Sequence, residues 1–377
     1  MSGKRIELID FWRGAVLAAI FINHIPGNIL GNFTPRNYGF SDAAEAFVFL
    51  SGISVALAGG RRFRTAPAWT AARGMASRAL RLYAMHVLLT FLALALFGAA
   101  ALLTGEETFL AEHGRATLFA DPLRGLLGVA TLGHQIGYFN ILPLYVVLII
   151  FAPLLLHVGL RNRWGMIALS ASVYGVARLT GANLPSWPEG GVWFFNPLTW
   201  QFMFTLGIFT GLLLQNDKFP VRAAPYRLAV TFTIVSALIV SNFLGCVPEF
   251  VAVVDPYLDR GKTDLGVIRI IDFLALAYTI YGSGVSARLK STAIFPVMSR
   301  LGRHSLAVFS AGSLLSASAQ IFNATVTSTP FSDIVIVLAG LWTLHKLASF
   351  LECASRPAQP AAPAANLNQT EELSFTR

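Results

Sequence analysis

Charged residues make up only 12% of this 377-residue chain, about half of the roughly 25% carried by soluble domains. So little charge argues against a fold surrounded by water. Cysteine is nearly absent: Cys246 and Cys353 are the two, too few for a disulfide framework or a cysteine-based metal site. The spans read below also place them on opposite sides of a membrane. No phosphate-cradling glycine loop, dinucleotide fingerprint, serine elbow or zinc-spaced His/Cys cluster occurs. Nucleotide hydrolysis, hydride transfer and zinc chemistry are set aside on that ground, and no metal is expected. Acid is scarcer than base, with 19 Asp+Glu against 28 Lys+Arg and a formal charge of +9. The basic residues lie in short loops between apolar stretches, which is the pattern of membrane orientation rather than of a nucleic-acid face.

Apolar sequence is abundant: 55% hydrophobic residues and a mean hydropathy of +0.62. Segments long enough to cross a bilayer are read at 8–28, 42–59, 80–103, 141–159, 164–181, 199–215, 227–245, 267–287, 303–321 and 331–351. With the N-terminus in the cytoplasm, 20 of the 28 Lys and Arg fall in cytoplasmic segments and 5 outside, as the positive-inside rule requires. The expectation is an all-α integral membrane protein of about ten transmembrane helices with both termini cytoplasmic. Residues 1–351 form one polytopic membrane domain and 352–377 a disordered cytoplasmic tail rich in Pro and Ala. No cleavable leader is expected, because the run after Lys4 and Arg5 is interrupted by charges and retained as the first helix. No internal repeat is visible, which counts against a transporter of inverted-repeat type.

The first span carries charges that apolar surroundings penalise by roughly 2.5–3.5 kcal/mol each. On a helix, Asp10 and Arg13 are one turn apart, and His24 returns to the same face about 16 Å further along. An i,i+3 ion pair accounts for Asp10 with Arg13, and a hydrogen-bonded interior histidine is one account of His24. The sharper account begins with Asp42 and Glu45, one turn apart at the outer end of span two and at the depth of His24. Ser41 is the expected N-cap there. A carboxylate beside an imidazole fixes its tautomer and raises its basicity, although two acids at a helix N-terminus are also simply favourable. Span eight repeats the spacing with Arg269 and Asp272. Span nine opens on Arg303 and His304 at the cytoplasmic side, and Tyr138, Asn140 and Tyr145 flank Pro143. The outer segment 182–198 is rich in Pro, Trp and Phe, either an interfacial aromatic belt or a platform for sugar faces.

The residues that carry these features resemble a known family. Ile9-Asp-Phe-Trp-Arg-Gly14, Asn23-His-Ile-Pro-Gly27 and Gly39-Phe-Ser-Asp-Ala-Ala-Glu-Ala-Phe-Val-Phe-Leu-Ser-Gly52 resemble the OpgC-type transmembrane acyltransferases. These modify osmoregulated periplasmic glucans and are relatives of the acyltransferase-three group. The likeness continues through Tyr138-Phe-Asn-Ile-Leu-Pro-Leu-Tyr145, Asn196-Pro-Leu-Thr-Trp-Gln201 (with Trp200), Gly261-Lys-Thr-Asp-Leu265 and Leu301-Gly-Arg-His-Ser-Leu306. Where the family reads Leu-His-Phe-Leu-Ala-Leu-Ala, this chain has Ile271-Asp-Phe-Leu-Ala-Leu-Ala277, a departure that bears on acceptor choice or mechanism.

The resemblance implies a multi-pass protein of the bacterial inner membrane, surrounded by lipid. It would transfer a succinyl group from cytoplasmic succinyl-CoA, a substrate rather than a bound cofactor, to a periplasmic glucan. It leaves acetyl transfer, a homodimer and transport of a small anionic or saccharide substrate open, and calls for no nucleic acid. His24 would be general base or acyl carrier, with Glu45 or Asp42 orienting it. Arg13, with Asp10, Arg303 and His304, would hold the donor's anionic groups. Arg269 would take the succinyl carboxylate, and Asp272, Asn140 and Trp200 would contribute to substrate binding.

Overall fold

The computed structural model describes residues 7–65, 67–216, 220–242, 258–326 and 329–355. Among them the regular structure is helical, with one isolated bridge between Pro185 and Val192. Helix α1 (Glu7–Asn23) starts with Glu7 and Asp10 in its first turn, where the helix dipole favours acid. Pro26 follows its end, and Gly27 takes a φ of +78°. Two 3₁₀ turns, Ile29–Phe33 and Pro35–Asn37, lead to α2 (Ala43–Thr65) and α3 (Ala68–Thr104). At 37 residues, α3 is about 55 Å long.

Residues between α3 and α7 (Ile141–Arg161) form three short helices, α4 (Thr108–Ala111), α5 (Arg115–Ala120) and α6 (Pro122–Ala130). They double back along α3. Near its end the Arg115 guanidinium lies 3.9 Å from the Phe97 ring centre, and far below, Tyr83 Oη donates to Ala130 O at 2.8 Å. Residues 108–130 are therefore a folded arm. Then come α8 (Arg163–Thr180), α9 (Pro197–Asn216), α10 (Ala223–Ser241), α11 (Val267–Gly282), α12 (Val285–Leu289), α13 (Ile294–Arg303), α14 (Ser305–Thr325) and α15 (Pro330–Ala354).

Each of the ten apolar segments read from sequence falls on a helix. Among the described residues seven helices are long and apolar enough to cross a membrane: α2, α3, α7, α9, α10, α14 and α15. The others fall short for a physical reason. α1 has 17 residues with Asp10 and Arg13 in it, α11 has 16 with Arg269 and Asp272, and α8 has 18 with Arg163 and Arg178. Boundaries move where local geometry decides them. The seventh segment stops at Ser241 because Asn242 turns left-handed at φ +49°. The eighth stops at Gly282, and the ninth begins at Ser305 because 294–303 form a helix of their own. α15 runs through Ala354, past the expected start of the tail at 352. Cys353 is exposed on α15. Cys246 and the tail from 356 lie outside the described residues.

Two glycine seams bring helices into backbone contact. On α2 and α9, a Cβ added at Gly52 would lie 2.1 Å from Phe204 O, and one at Gly207 2.1 Å from Phe49 O. On α1 and α13, a Cβ at Gly14 would lie 1.9 Å from Met298 O, and one at Gly302 1.8 Å from Asp10 O. Beside the first seam, Val48, Leu144, Ile149, Phe204 and Ile208 are fully buried. The seams fix α2 against α9 and α1 against α13, and the polar side chains of α1 and α2 emerge on this frame.

Candidate functional site

Polar side chains gather at two depths along α1. At the lower one Arg13 is held by three elements. Its Nη1 donates to Asp10 Oδ1 at 3.2 Å and to Gly302 O, at the end of α13, at 3.1 Å, while Nη2 reaches Ser54 Oγ of α2. The expected Asp10–Arg13 pair is present, and Asp10 is buried. Arg78 of α3 and Tyr145 of α7 lie in the field of Arg13. Arg78 reads from sequence as one of several loop arginines, and only the packing of α3 brings it here. Arg303 follows Gly302 directly, and its Nη2 meets Glu352 Oε1 of α15 at 2.7 Å. His304 is the link between α13 and α14, with its carbonyl accepting from Val308 N at 3.0 Å.

At the upper depth stands His24, just past the end of α1. Its backbone is pinned: its N–H donates to Ile20 O at 3.0 Å, and its carbonyl accepts from Gln320 Nε2 of α14 at 2.7 Å. Its ring meets Tyr138 edge-on at 5.0 Å between centres, and Tyr138 meets His113 in the same way at 5.1 Å. Both Tyr138 and His113 are in the left-handed region, at φ +69° and +56°. Such residues cost about 1–2 kcal/mol each and concentrate at functional sites. Gly137 N–H to His113 O at 2.8 Å holds the pair together. Lys262, Asp42 and Arg36 surround His24 closely enough to act on it electrostatically.

The carboxylates of α2 bond elsewhere than expected. Asp42, not Ser41, caps the helix: its Oδ1 accepts from Ala44 N at 2.7 Å, and Glu45 Oε2 accepts from Asp42 N at 2.8 Å. This is a reciprocal capping arrangement. The remaining oxygens face cations. Glu45 Oε1 accepts from Arg269 Nε at 2.7 Å, and Asp42 Oδ2 meets Lys262 Nζ at 2.5 Å and Arg269 Nη2 at 3.2 Å. Among the described residues no hydrogen bond joins either acid to the His24 ring. The orienting contact expected from Asp42 or Glu45 is replaced by an ion network around Arg269 and by aromatic contact from Tyr138. Arg269 and Asp272, one turn apart, do not pair as Asp10 and Arg13 do. Asp272 Oδ2 instead accepts from Ser41 N at 3.0 Å and Ser41 Oγ at 2.6 Å.

Lys262 is delivered by the loop 258–266, and that loop is tied down from below. Trp200 Nε1 donates to Lys262 O at 3.0 Å and to Thr263 O at 3.1 Å. Asn196 Nδ2 donates to Asp264 Oδ1 at 2.8 Å, and Tyr174 Oη to Leu265 O at 2.8 Å. Trp200 has no exposed surface, so it reaches the site through the loop it holds. Asn140 precedes α7 without capping it by its side chain. Of the aromatic segment, Trp193 and Phe195 are buried while Trp187 and Phe194 are exposed. Reading the sequence also passed over Lys262, Arg36 and His113 as site residues. The one available signal was the block Gly261–Leu265, which is as polar as any loop.

The family described as OpgC protein has a profile that matches residues 4–356. No curated protein and no solved structure gives a match.

Proposed function

The chain belongs to the OpgC family, and from that premise we propose that it is a ten-span membrane O-acyltransferase of the bacterial inner membrane. It moves a succinyl group from cytoplasmic succinyl-CoA to a hydroxyl of a periplasmic glucan. The Arg13 cluster faces the cytoplasm and the His24 cluster the periplasm, as the basic loops require. The observation that carries the reading is the placement of His24. It is held by its backbone just past the end of α1, about 16 Å along the helix from Arg13, and its ring makes no hydrogen bond to protein among the described residues. A general base needs such a free nitrogen within reach of the proton it removes.

In this mechanism Arg13 and Arg78 attract the anionic donor from the inner side. The thioester carbonyl comes to rest beside the imidazole, and the glucan hydroxyl approaches from outside. His24 takes the hydroxyl proton as the oxygen attacks the carbonyl carbon. The carbon–sulfur bond breaks, and the imidazolium returns the proton to the CoA thiolate. Tyr138 and His113 wall the ring on one side. Lys262 and Asp42 of the ion network with Glu45 and Arg269 lie near the ring as well, and the exposed Trp187 and Phe194 offer apolar faces for glucose rings.

The test uses purified protein in nanodiscs with labelled succinyl-CoA and periplasmic glucan. Wild type transfers label to glucan, and folded His24→Ala loses transfer by a factor of about 10²–10⁴, the usual contribution of a positioned base. Full activity in folded His24→Ala would end the assignment.

A further inference from the structure

We propose that Arg36, helped by Lys262, receives the free carboxylate of a dicarboxylic acyl group and so decides which acyl donor is accepted. This deepens the reading above and rests on it. From sequence the carboxylate belongs to Arg269, a buried guanidinium on α11. In the structure that guanidinium is already committed, with Nε on Glu45 Oε1 and Nη2 on Asp42 Oδ2. Asp42, Glu45, Lys262 and Arg269 together are two acids against two bases, so the network is neutral within itself. Arg36 stands outside it. Its side chain is exposed, and among the described residues no carboxylate pairs with it. It nevertheless lies close enough to His24 to act on it electrostatically.

Arg36 is also held in place. It belongs to the turn Pro35–Asn37 that folds over the end of α1. Thr34 Oγ1 donates to Asn23 Oδ1 at 2.7 Å, and Asn37 Nδ2 to Gly31 O at 2.7 Å. Asn28 Nδ2 closes on Ile25 O at 2.5 Å, and Ile29 N–H donates to Asp333 Oδ2 of α15 at 3.2 Å. The direction of entry supplies the rest. A thioester that arrives from the Arg13 side brings its sulfur last, so the far end of the acyl chain passes beyond His24. What it meets there is the roof made by residues 29–37 and by the loop that carries Lys262. A guanidinium fits a carboxylate there, and Lys262 Nζ keeps donors to spare after its one bond to Asp42.

The experiment compares succinyl-CoA with butyryl-CoA, the four-carbon donor without the carboxylate. Transfer is measured, or the competitive inhibition constant where a donor is not turned over. Arg36→Gln should lower the ratio of succinyl to butyryl transfer by about tenfold, and Arg36→Lys should restore part of that ratio. Because Arg36 is exposed and unbonded, neither variant should change folded yield. A parallel loss with both donors, or no change with either, overturns the proposal. Failure of wild type to transfer from any acyl-CoA would instead overturn the acyltransferase reading, and this proposal with it.

Discussion

Glu45 is fully buried and is bonded to Arg269 through one oxygen and to the first turn of its own helix through the other. Glu45→Ala leaves a mostly buried guanidinium with Asp42 alone, a change expected to cost about 3–5 kcal/mol. Glu45→Gln keeps the shape and one acceptor oxygen, hence one of the two hydrogen bonds, and should cost less than Glu45→Ala. Thermal unfolding in one detergent ranks the two, and equal midpoints would show that the pair adds nothing to stability. His113 has a different sensitivity. Burial, and after it the neighbouring Arg115, hold its imidazole below the ordinary value. The unfolded chain therefore takes up that proton first. The stabilising contribution of neutral His113 is present above about pH 6.5 and declines below it. Partial exposure keeps the effect small. An NMR titration of His113 should give a midpoint below that of an unstructured histidine.

Helix packing was legible in the sequence only in part. The apolar segments marked where helices lie, because hydropathy depends on nothing but the residues themselves. The Asp10–Arg13 pair was legible too, since both partners sit on one turn. The partners of Arg269 and Asp272 were not. Arg269 and Glu45 are 224 residues apart, and Asp272 and Ser41 are 231 apart. No local spacing encodes such a choice. The glycine seams show the same limit: Gly14, Gly302, Gly52 and Gly207 become meaningful only against a named neighbour. They make a sharp comparison possible. Gly302→Ala places a Cβ on Asp10 O and must push α1 from α13, which should cost at least the 1–3 kcal/mol of ordinary overpacking and disturb Arg13. Gly175→Ala in α8 meets open space and should gain about 0.5–1 kcal/mol. Circular dichroism melts of both variants decide it, and a tolerant Gly302 would mean that the seam is loose.

At the scale of the whole molecule, the site is assembled from stretches that share little with one another in the chain. The end of α1, the roof 29–37, the start of α2, the folded arm with His113, and the loop with Lys262 converge on one imidazole. Asp42 has the most consequential position among them. One of its oxygens caps α2, and the other accepts from Lys262, 220 residues away. Neither the first turn of α2 nor the loop 258–266 can come loose without disturbing the other. The amides of both should then exchange with deuterium at matched rates, and Asp42→Asn should speed both together while amides in the middle of α7 keep theirs. Separate rates would show two independent openings. Matched rates would make this carboxylate the single pin of a clasp, so that whatever admits a large acceptor on the outer face also frays the helix beneath it.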